Sequence, residues 1–353
     1  MHAAFSPASN KISDNVISNL NASHGGYPSC LGKLQILDLQ FTHQFTQSAE
    51  LESFKGGIWH GVFGCALKEI DEAAYQCLFS STSRTQPWRL IAPRSTKQFF
   101  RDGDSLTATI TLFNDAIEYT PACAEAIIRM GELGLGARRS HARTCEINGH
   151  VGDLPKPLAA LMAMPDARHC GIYGNAIFQS LSHSMSLSQA LPHTTNTQIE
   201  SIALHLVSPL SLKQSGTASR TTPAAESVVR RLIARLAALL PADEGGLLSA
   251  NEKRQLLCAA ATLAAHSVDV TWADWARYSG RQKSTMPFGG LQGTLFFSGD
   301  ADAIALVRPW LGLAERVGLG SKTTFGLGHI QLMALDNTSS ALPLDAIHNV
   351  GNP

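Results

Sequence analysis

The sequence has little charge and no excess of either sign. Charged residues make up 16% of the 353 residues, against roughly 25% in an average soluble domain. The 28 Lys and Arg residues balance the 28 Asp and Glu residues. A chain of zero net charge has no global field that attracts nucleic acid, which excludes a histone-like or polybasic protein. Any nucleic-acid binding must come from local basic clusters.

Paired cysteines and long apolar runs are also absent. The seven cysteines are scattered without a CxxC pair, which argues against a disulfide framework or zinc knuckle and favours small buried thiols in a reducing compartment. The longest apolar stretch, residues 256–265, is too short to span a bilayer. Residues 1–26 lack the basic and apolar regions of a signal peptide. We therefore expect a soluble, cytoplasmic protein.

The hydrophobic pattern predicts two α+β units of the same order. The first reads strand, helix, strand, strand, helix, strand at residues 34–45, 58–70, 87–93, 104–113, 121–134 and 134–147. The second repeats this order with one more helix, at residues 201–213, 224–240, 251–265, 268–280, 291–299, 300–318 and 317–335. Two β-α-β-β-α-β units in series predict tandem ferredoxin-like (RRM-like) domains.

The same pattern divides the chain into five segments. We predict a flexible leader at 1–30, an N-terminal domain at 31–150, a connector at 151–200, a C-terminal domain at 201–340 and a tail at 341–353. Residues 169–200 carry no charged side chain before Glu200, and we place one strand of the connector at 171–178.

The most distinctive motif is a glycine-rich loop before the last predicted strand. It contains two Gly-apolar-Gly pairs, formed by Gly318, Gly320, Gly326 and Gly328. Between them lie five residues that include Lys322. Glycine allows close backbone approach or positive φ, and successive N–H groups with a lysine suit phosphate oxygens. The alternative is a tight helix-to-strand reversal, but the doubled pattern favours phosphate binding. A P-loop is excluded because Ser321 separates glycine from lysine and a strand follows.

This loop resembles the glycine-rich loop of the RAMP superfamily of CRISPR-associated proteins. The segments TLFNDAIEYTPACAEAIIRMGELGLGARR, WADWARYSGRQ and FGGLQGTLFFSGD narrow the resemblance to the endoribonucleases that process precursor CRISPR RNA within each repeat. The resemblance extends over residues 34–335. It implies a repeat-RNA (crRNA) substrate, cleavage that needs no metal or other cofactor, and delivery of the guide RNA to other subunits of an interference complex.

The residues are compatible with this chemistry. The chain has no HExxH motif and no Cys/His cluster, and RNA supplies its own nucleophile, the 2′-OH. The protein then needs only a general base, a general acid and a cation near the phosphorane. The expected products are a 2′,3′-cyclic phosphate or 3′-phosphate and a 5′-hydroxyl.

The resemblance also implies a catalytic histidine on the first helix, near the glycine loop of the second unit. In this sequence that residue is His60, between Trp59 and Gly61. Histidine titrates near neutral pH and fits either proton-transfer role. A solvated or capping histidine is an equally weighted alternative. The further candidates are Lys55 and Lys68 as transition-state cations, Tyr75 as an assistant, and His43 and His141 as reserve histidines.

Local basic clusters offer RNA contacts despite the zero net charge. Those beside glycine turns, where phosphate contact is favoured, comprise Arg138, Arg139, Arg277, Arg281 and Lys283. For the helical Arg230, Arg231 and Arg235, an ordinary solvated face is favoured.

Two alternatives to an RNA-cleaving enzyme stay open. One is a non-catalytic member of the same superfamily that holds guide RNA inside an interference complex. The other is a small-molecule-binding ferredoxin-like protein with no RNA role, which the zero net charge mildly favours. Binding of repeat RNA would exclude the small-molecule-binding protein. Cleavage without metal would then distinguish the enzyme from the non-catalytic subunit.

Overall fold

The structure is a computed structural model that describes residues 34–80, 85–151, 154–157, 199–214, 217–240, 247–279 and 284–333. The predicted leader, the predicted strand at 171–178 and the predicted tail lie outside these residues.

The first domain is built on one antiparallel sheet with helices packed against it. Its main elements are β1 (Ile36–Phe45), α1 (Gly56–Ile70), α2 (Glu72–Phe79), β3 (Trp88–Ile91), β5 (Ser105–Phe113), α3 (Thr120–Leu133), β6 (Ala142–Val151) and β7 (Leu154–Pro157). A short pair, β2 (Ala49–Glu50) and β4 (Phe99–Phe100), lies beside them. The strand order β3-β5-β1-β6-β7 places β1 in the centre and β3 at one edge, which is the ferredoxin-like arrangement with one added strand.

The second domain repeats this topology. Its elements are β8 (Ile199–Leu210), α4 (Ala225–Leu239), α5 (Ala250–Thr262), β11 (Ala264–Ser279), β12 (Ser284–Asp300), α6 (Ala301–Val317) and β13 (Ile330–Met333), with a small hairpin of β9 (Lys213–Gln214) and β10 (Thr217–Ala218). The sheet order is β11-β12-β8-β13, and all neighbours are antiparallel. The prediction of tandem ferredoxin-like domains is confirmed.

Two details of the second domain differ from the sequence prediction. Helix α5 ends at Thr262 and not at residue 265, because Ala264 already pairs with Ser298 at the start of β11. The second difference is Arg235, which was expected on a solvated face. It is 9% exposed, and its Nε donates to the carbonyl of Val317 over 2.7 Å. The expectation for Arg235 is wrong because the end of α6 covers that side of α4.

The hydrophobic cores of the two domains meet at their interface. Leu34, Ile36 and Phe113 belong to the first domain in sequence, yet they pack in the core of the second, together with residues such as Trp310 and Phe297. The first domain has its own core around Trp59, Trp88 and Phe63, among others. The shared packing brings α1 and β3 up to the glycine-rich loop. No helix of the described residues is long and apolar enough to cross a membrane.

The glycine-rich loop has backbone that only glycine tolerates, and this gives a stability prediction. A Cβ on Gly328 (φ +70°) would lie 1.7 Å from the Leu319 carbonyl oxygen, whereas a Cβ on Gly103 (φ +87°) would meet no atom within 4 Å. We expect Gly103→Ala to lower the free energy of unfolding by about 1–2 kcal/mol, because a side chain is strained in left-handed backbone. Gly328→Ala should cost about 2–5 kcal/mol, because steric overlap is added. Urea unfolding of both variants measures this, and equal losses would contradict the prediction.

Candidate active site at the domain interface

The glycine-rich loop connects α6 to β13 and is stabilised largely by its own backbone. Its four glycines all have positive φ, between 70° and 82°. The N–H groups of Leu319, Ser321 and Gly328 donate to the carbonyls of Gly328, Ser211 and Pro209, each over 2.9 Å. Those of residues 325–327 donate to carbonyls within the loop. The glycines therefore do form a tight reversal, and the N–H groups of residues 319, 321 and 325–328 bond to protein carbonyls and are not open to a phosphate.

Helix α1 of the first domain packs end-on against this loop. A Cβ on Gly56 would lie 1.9 Å from the carbonyl oxygen of Phe325. The close approach therefore depends on the missing side chain at the first residue of α1. About one helical turn further on, His60 Nδ1 lies 3.0 Å from the carbonyl oxygen of Thr324. The structure thus brings together the first-domain helix and the second-domain loop, as the resemblance implied.

The contact with Thr324 determines which nitrogen of His60 carries the proton in the neutral ring. A carbonyl oxygen only accepts, so Nδ1 must carry the proton, and in the neutral ring the lone pair resides on Nε2. The ring stacks on Phe325 at 3.6 Å between centroids and on Trp88 at 5.6 Å. His60 is half-buried, and the N-cap of α1 is Lys55. His60 is therefore only partly exposed to solvent, and it does not cap α1.

Lys322 lies on the same loop, in left-handed backbone with φ 61°. Its Nζ is 3.7 Å from the centroid of the Phe288 ring. Phe288 in turn packs edge-on against Phe325 at 5.2 Å, the ring on which His60 stacks. A chain of ring contacts thus joins the lysine of the loop to the histidine of α1.

Lys55 does not face a substrate. It is 0% exposed, and its Nζ donates to the carbonyls of Glu52 (2.9 Å), Ser53 (3.1 Å) and Lys97 (2.7 Å). Burial lowers the pKa of Lys55 to about 8. Its expected role as transition-state cation is wrong, because the ammonium group is occupied in holding two chain segments together.

Of the other residues proposed to assist His60, Tyr75 stacks on Phe79, a ring that contacts His60, whereas Lys68 lies apart and His43 is inaccessible. Lys68 lies in the last turn of α1 with its Nζ 5.4 Å from the Tyr75 ring centroid, about 12 Å along the helix from His60. His43 is 0% exposed, and its Nε2 donates to the Ile127 carbonyl over 2.9 Å. Burial lowers the pKa of His43. Of the two reserve histidines, only His141 is exposed, just before β6.

The thiols of the described residues are mostly not core residues. Cys65, Cys145 and Cys258 are exposed, Cys77 is half-buried and only Cys123 is buried. The expectation of small buried thiols therefore holds for Cys123 alone. In the described residues, no three His, Cys, Asp or Glu side chains are grouped so that they could hold a metal ion.

The predicted RNA-contacting residues lie in different surroundings. Arg138 forms an ion pair with Glu50 at 3.2 Å and lines a cavity of about 500 Å³. Arg139 is the next residue, with φ 49°. Arg277 lies in β11, paired with Met286 of β12. Arg281 and Lys283 lie outside the described residues.

A second cavity, of about 310 Å³, lies between the two domains beside the glycine-rich loop. Its lining includes Phe54, Arg94, Trp275, Gln292, Gly326 and His329. Phe54 and Trp275 are in ring contact at 4.7 Å, and both also line the cavity that contains Arg138. We call the two adjoining cavities the interdomain groove. It extends from the loop that holds His60 to Arg138.

Sequence analysis missed the groove residues Arg94 and His329. Burial lowers the pKa of His329 to about 3, and the positive charges of Arg89 and Arg94 contribute in the same direction. Its imidazole is therefore neutral at physiological pH. Only their positions in the sequence could have suggested these two residues: His329 directly follows Gly328, and Arg94 follows a predicted strand. Neither position stands out without the second domain in place.

The comparisons with known proteins agree with this geometry. Residues 204–330 match the family model of CRISPR-associated endoribonuclease Cas6, and residues 34–159 match a family model described as an N-terminal domain. No curated protein sequence matches the chain significantly.

Similar solved structures extend over both domains. Thermus thermophilus Cas6 has a TM-score of 0.50 at 14% identity, with 85% of this chain and 99% of that chain covered. A Cas6 product complex gives the same values. A partial Cas6-RT-Cas1–Cas2 complex has a TM-score of 0.57 at 14% identity, with 87% of this chain but only 47% of that chain covered. At these identities the likeness shows a shared fold.

The chain thus shares with the Cas6 structures a fold of two ferredoxin-like domains, here with a glycine-rich loop at their interface. Within that shared fold, residues 204–330 of the second domain match the family model of CRISPR-associated endoribonuclease Cas6. The resemblance expected from the sequence is thus confirmed.

The buried Lys55 gives a prediction about pH. Its pKa of about 8 in the folded protein lies below the roughly 10.4 of a lysine in an unfolded chain. Between these values the unfolded chain binds more protons, so the contribution of Lys55 to stability rises with pH. We expect the free energy of unfolding of wild type, relative to Lys55→Met, to increase from pH 7 to pH 9.5.

Urea unfolding at both pH values checks this. The matched control is Lys68→Met, which removes a lysine from the last turn of α1. Its difference from wild type should stay constant with pH. A constant difference for Lys55→Met as well would contradict the prediction.

Proposed function

We propose that this protein is a metal-independent endoribonuclease that cleaves CRISPR repeat RNA, with His60 as its acid/base residue. The observation that carries the proposal is the His60 Nδ1 contact with the Thr324 carbonyl. That contact orients an imidazole at the domain interface and leaves Nε2 for proton transfer. The Cas6-type second domain supports RNA processing.

The reaction needs few groups from the protein. The 2′-oxygen of the nucleotide before the cut attacks phosphorus, the bond from phosphorus to the 5′-oxygen breaks, and a 2′,3′-cyclic phosphate and a 5′-hydroxyl result. Neutral His60 accepts the 2′-OH proton at Nε2, or protonated His60 donates a proton there to the leaving 5′-oxygen. The Lys322 ammonium, which the rings of Phe288 and Phe325 link to His60, supplies positive charge for the phosphorane.

The interdomain groove suits single-stranded RNA next to this centre. The Phe54–Trp275 ring pair offers a stacking surface for bases. Arg94 and Arg138 line the two ends of the groove and can pair with phosphates. Arg139, Arg277, Arg281 and Lys283, with the four loop glycines, stay predicted RNA contacts.

The partners follow from the same proposal. One similar structure is a Cas6 product complex and another is a Cas6-RT-Cas1–Cas2 complex. We extend both kinds of partner to this chain, namely CRISPR RNA and other CRISPR proteins. The alternative, a non-catalytic subunit that holds crRNA, would use the same groove but would not need His60.

The decisive experiment incubates the protein with labelled repeat RNA in EDTA. We expect cleavage by wild type, and no cleavage of RNA with a single 2′-deoxy nucleotide at the cut site, because the nucleophile is then missing. His60→Ala should slow cleavage by about 10²–10⁴-fold, the usual contribution of a general acid or base. His266→Ala, which removes an exposed histidine of β11, is the control and should cleave normally.

Each other outcome decides between the alternatives. Binding without cleavage by wild type would favour the RNA-holding subunit. Cleavage that stops in EDTA would contradict metal independence, and cleavage that survives His60→Ala would contradict the assigned role of His60.

The role of Lys322 predicts a specific salt dependence. If its ammonium pairs with one RNA phosphate, Lys322→Gln should flatten the slope of log K against log salt by about 0.7 and weaken binding at low salt. Lys253→Gln, on the exposed side of α5, should leave the slope unchanged. Filter binding at four salt concentrations measures both. An unchanged slope for Lys322→Gln would refute the phosphate contact.

A further inference from the structure

Two segments of the first domain border the interdomain groove. Residues 51–54 follow β2, residues 94–98 precede β4, and both segments contribute lining residues. The two strands pair antiparallel, and the Leu51 N–H adds one more bond by donating to the Gln98 carbonyl over 2.8 Å. Beyond that bond, these two described segments form no further backbone hydrogen bond with each other. The first-domain wall of the groove therefore begins where the strand pairing ends.

At this point the side chain of Lys55 connects the two segments. Its Nζ donates to the carbonyls of Glu52 (2.9 Å) and Ser53 (3.1 Å) on one segment and to the carbonyl of Lys97 (2.7 Å) on the other. An ammonium group has three N–H donors and no acceptor, so the three carbonyls use all of them. The Lys55 side chain replaces the backbone bonds that the diverging segments no longer make.

A buried ammonium group needs a reason, because an apolar side chain avoids its desolvation cost. Lys55 is 0% exposed, and no carboxylate of the described residues pairs with it. An apolar side chain at this position would leave the three carbonyls without their donor, and carbonyls removed from water are normally paired. The lysine is therefore required by the backbone arrangement of residues 52, 53 and 97.

That backbone leads directly to the ring that faces the second domain. Ser53 precedes Phe54, whose ring centroid lies 4.7 Å from that of Trp275 in β11. Both rings line both cavities of the groove. The hydrogen bonds of Lys55 thus hold the residue before Phe54 and connect it to the segment before β4.

We propose that Lys55 is a positioning residue for RNA binding, which fixes the backbone before Phe54 and thereby holds the Phe54 ring against Trp275 as the stacking surface of the groove. Lys55 acts through this backbone and does not touch RNA. The inference rests on the proposed function, in which the groove holds single-stranded repeat RNA. The contact between Phe54 and Trp275 is a property of the protein alone and is tested without RNA.

The first arm of the test measures affinity for repeat RNA that has a 2′-deoxy nucleotide at the cut site. Lys55→Met removes the three donors and keeps a long, unbranched side chain. Stacking of a base on an aromatic ring contributes roughly 5–150-fold to affinity, and a displaced ring loses part of it, so we expect the dissociation constant to rise by about 5–20-fold. Lys253→Met, which removes an exposed lysine of α5, controls for the loss of one positive charge and should bind normally.

Cleavage of unmodified repeat RNA separates positioning of the groove from damage to the reacting centre. At saturating RNA, the single-turnover rate of Lys55→Met should stay within about twofold of wild type, because a loss of binding that is equal in ground state and transition state leaves this rate unchanged. The contact that orients His60, with the Thr324 carbonyl, does not involve Lys55.

A double-mutant cycle shows whether Lys55 acts through Phe54. Phe54→Leu removes the ring and should weaken RNA binding at least as much as Lys55→Met does. Because effects on one shared contact are not additive, adding Lys55→Met to Phe54→Leu should weaken binding further by less than about twofold.

The second arm observes the ring contact by NMR in the absence of RNA. The indole N–H signal of Trp275, assigned with Trp275→Phe, should shift in Phe54→Leu because a neighbouring ring is lost. Lys55→Met should shift the same signal, and Lys253→Met should not. Lys55→Gln, which keeps two N–H donors, should give a smaller shift and serves if Lys55→Met does not fold.

The outcomes separate this inference from the proposed function. Weaker RNA binding, an unchanged rate at saturation and a shifted Trp275 signal support the positioning role. An unchanged Trp275 signal in both Lys55→Met and Lys55→Gln overturns it, as does a loss of affinity that adds in full to that of Phe54→Leu. If wild type binds no repeat RNA, the proposed function fails and the Trp275 signal alone decides about Lys55.

Discussion

The close approach of α1 to the glycine-rich loop is the constraint on which the site depends. Gly56 has no side chain, and any Cβ there would collide with the Phe325 carbonyl. One turn further, the same helix presents His60 to the neighbouring carbonyl of Thr324. Because the loop backbone accepts the Nδ1 proton, a contact made for packing also selects the tautomer of His60. Helix, loop and histidine therefore cannot be altered independently.

The interface also gathers charged side chains in a chain of zero net charge. Arg89, Arg235 and Arg316 surround the end of α6, with Asp38 and Glu315 as nearby carboxylates. Burial raises the pKa of Glu315. The surrounding positive potential contributes to the low pKa of His329 in the groove. Arginines and carboxylates thus lie together beside the loop.

Aromatic side chains connect the two domains across the same region. His60 contacts Phe325 and Trp88, Phe325 contacts Phe288, and Phe54 contacts Trp275. These rings come from both domains. They fill the space around the histidine with apolar surface, in which electrostatic interactions are stronger than in water. The groove then remains open beside them.

The sequence by itself determined the order of strands and helices, the tandem ferredoxin-like fold and the place of the glycine-rich loop. Each of these follows from local periodicity and glycine spacing, which neighbouring residues encode. His60 was predicted as the catalytic histidine from the resemblance, through the position of its helix. Only the tertiary structure decided that Lys55 is enclosed by three carbonyls, that Arg235 lies under α6 and that Arg94 and His329 share a groove. Burial and hydrogen-bond partners are set where segments distant in sequence meet. The spacing of residues along one helix or strand does not show which segment will cover that helix or strand.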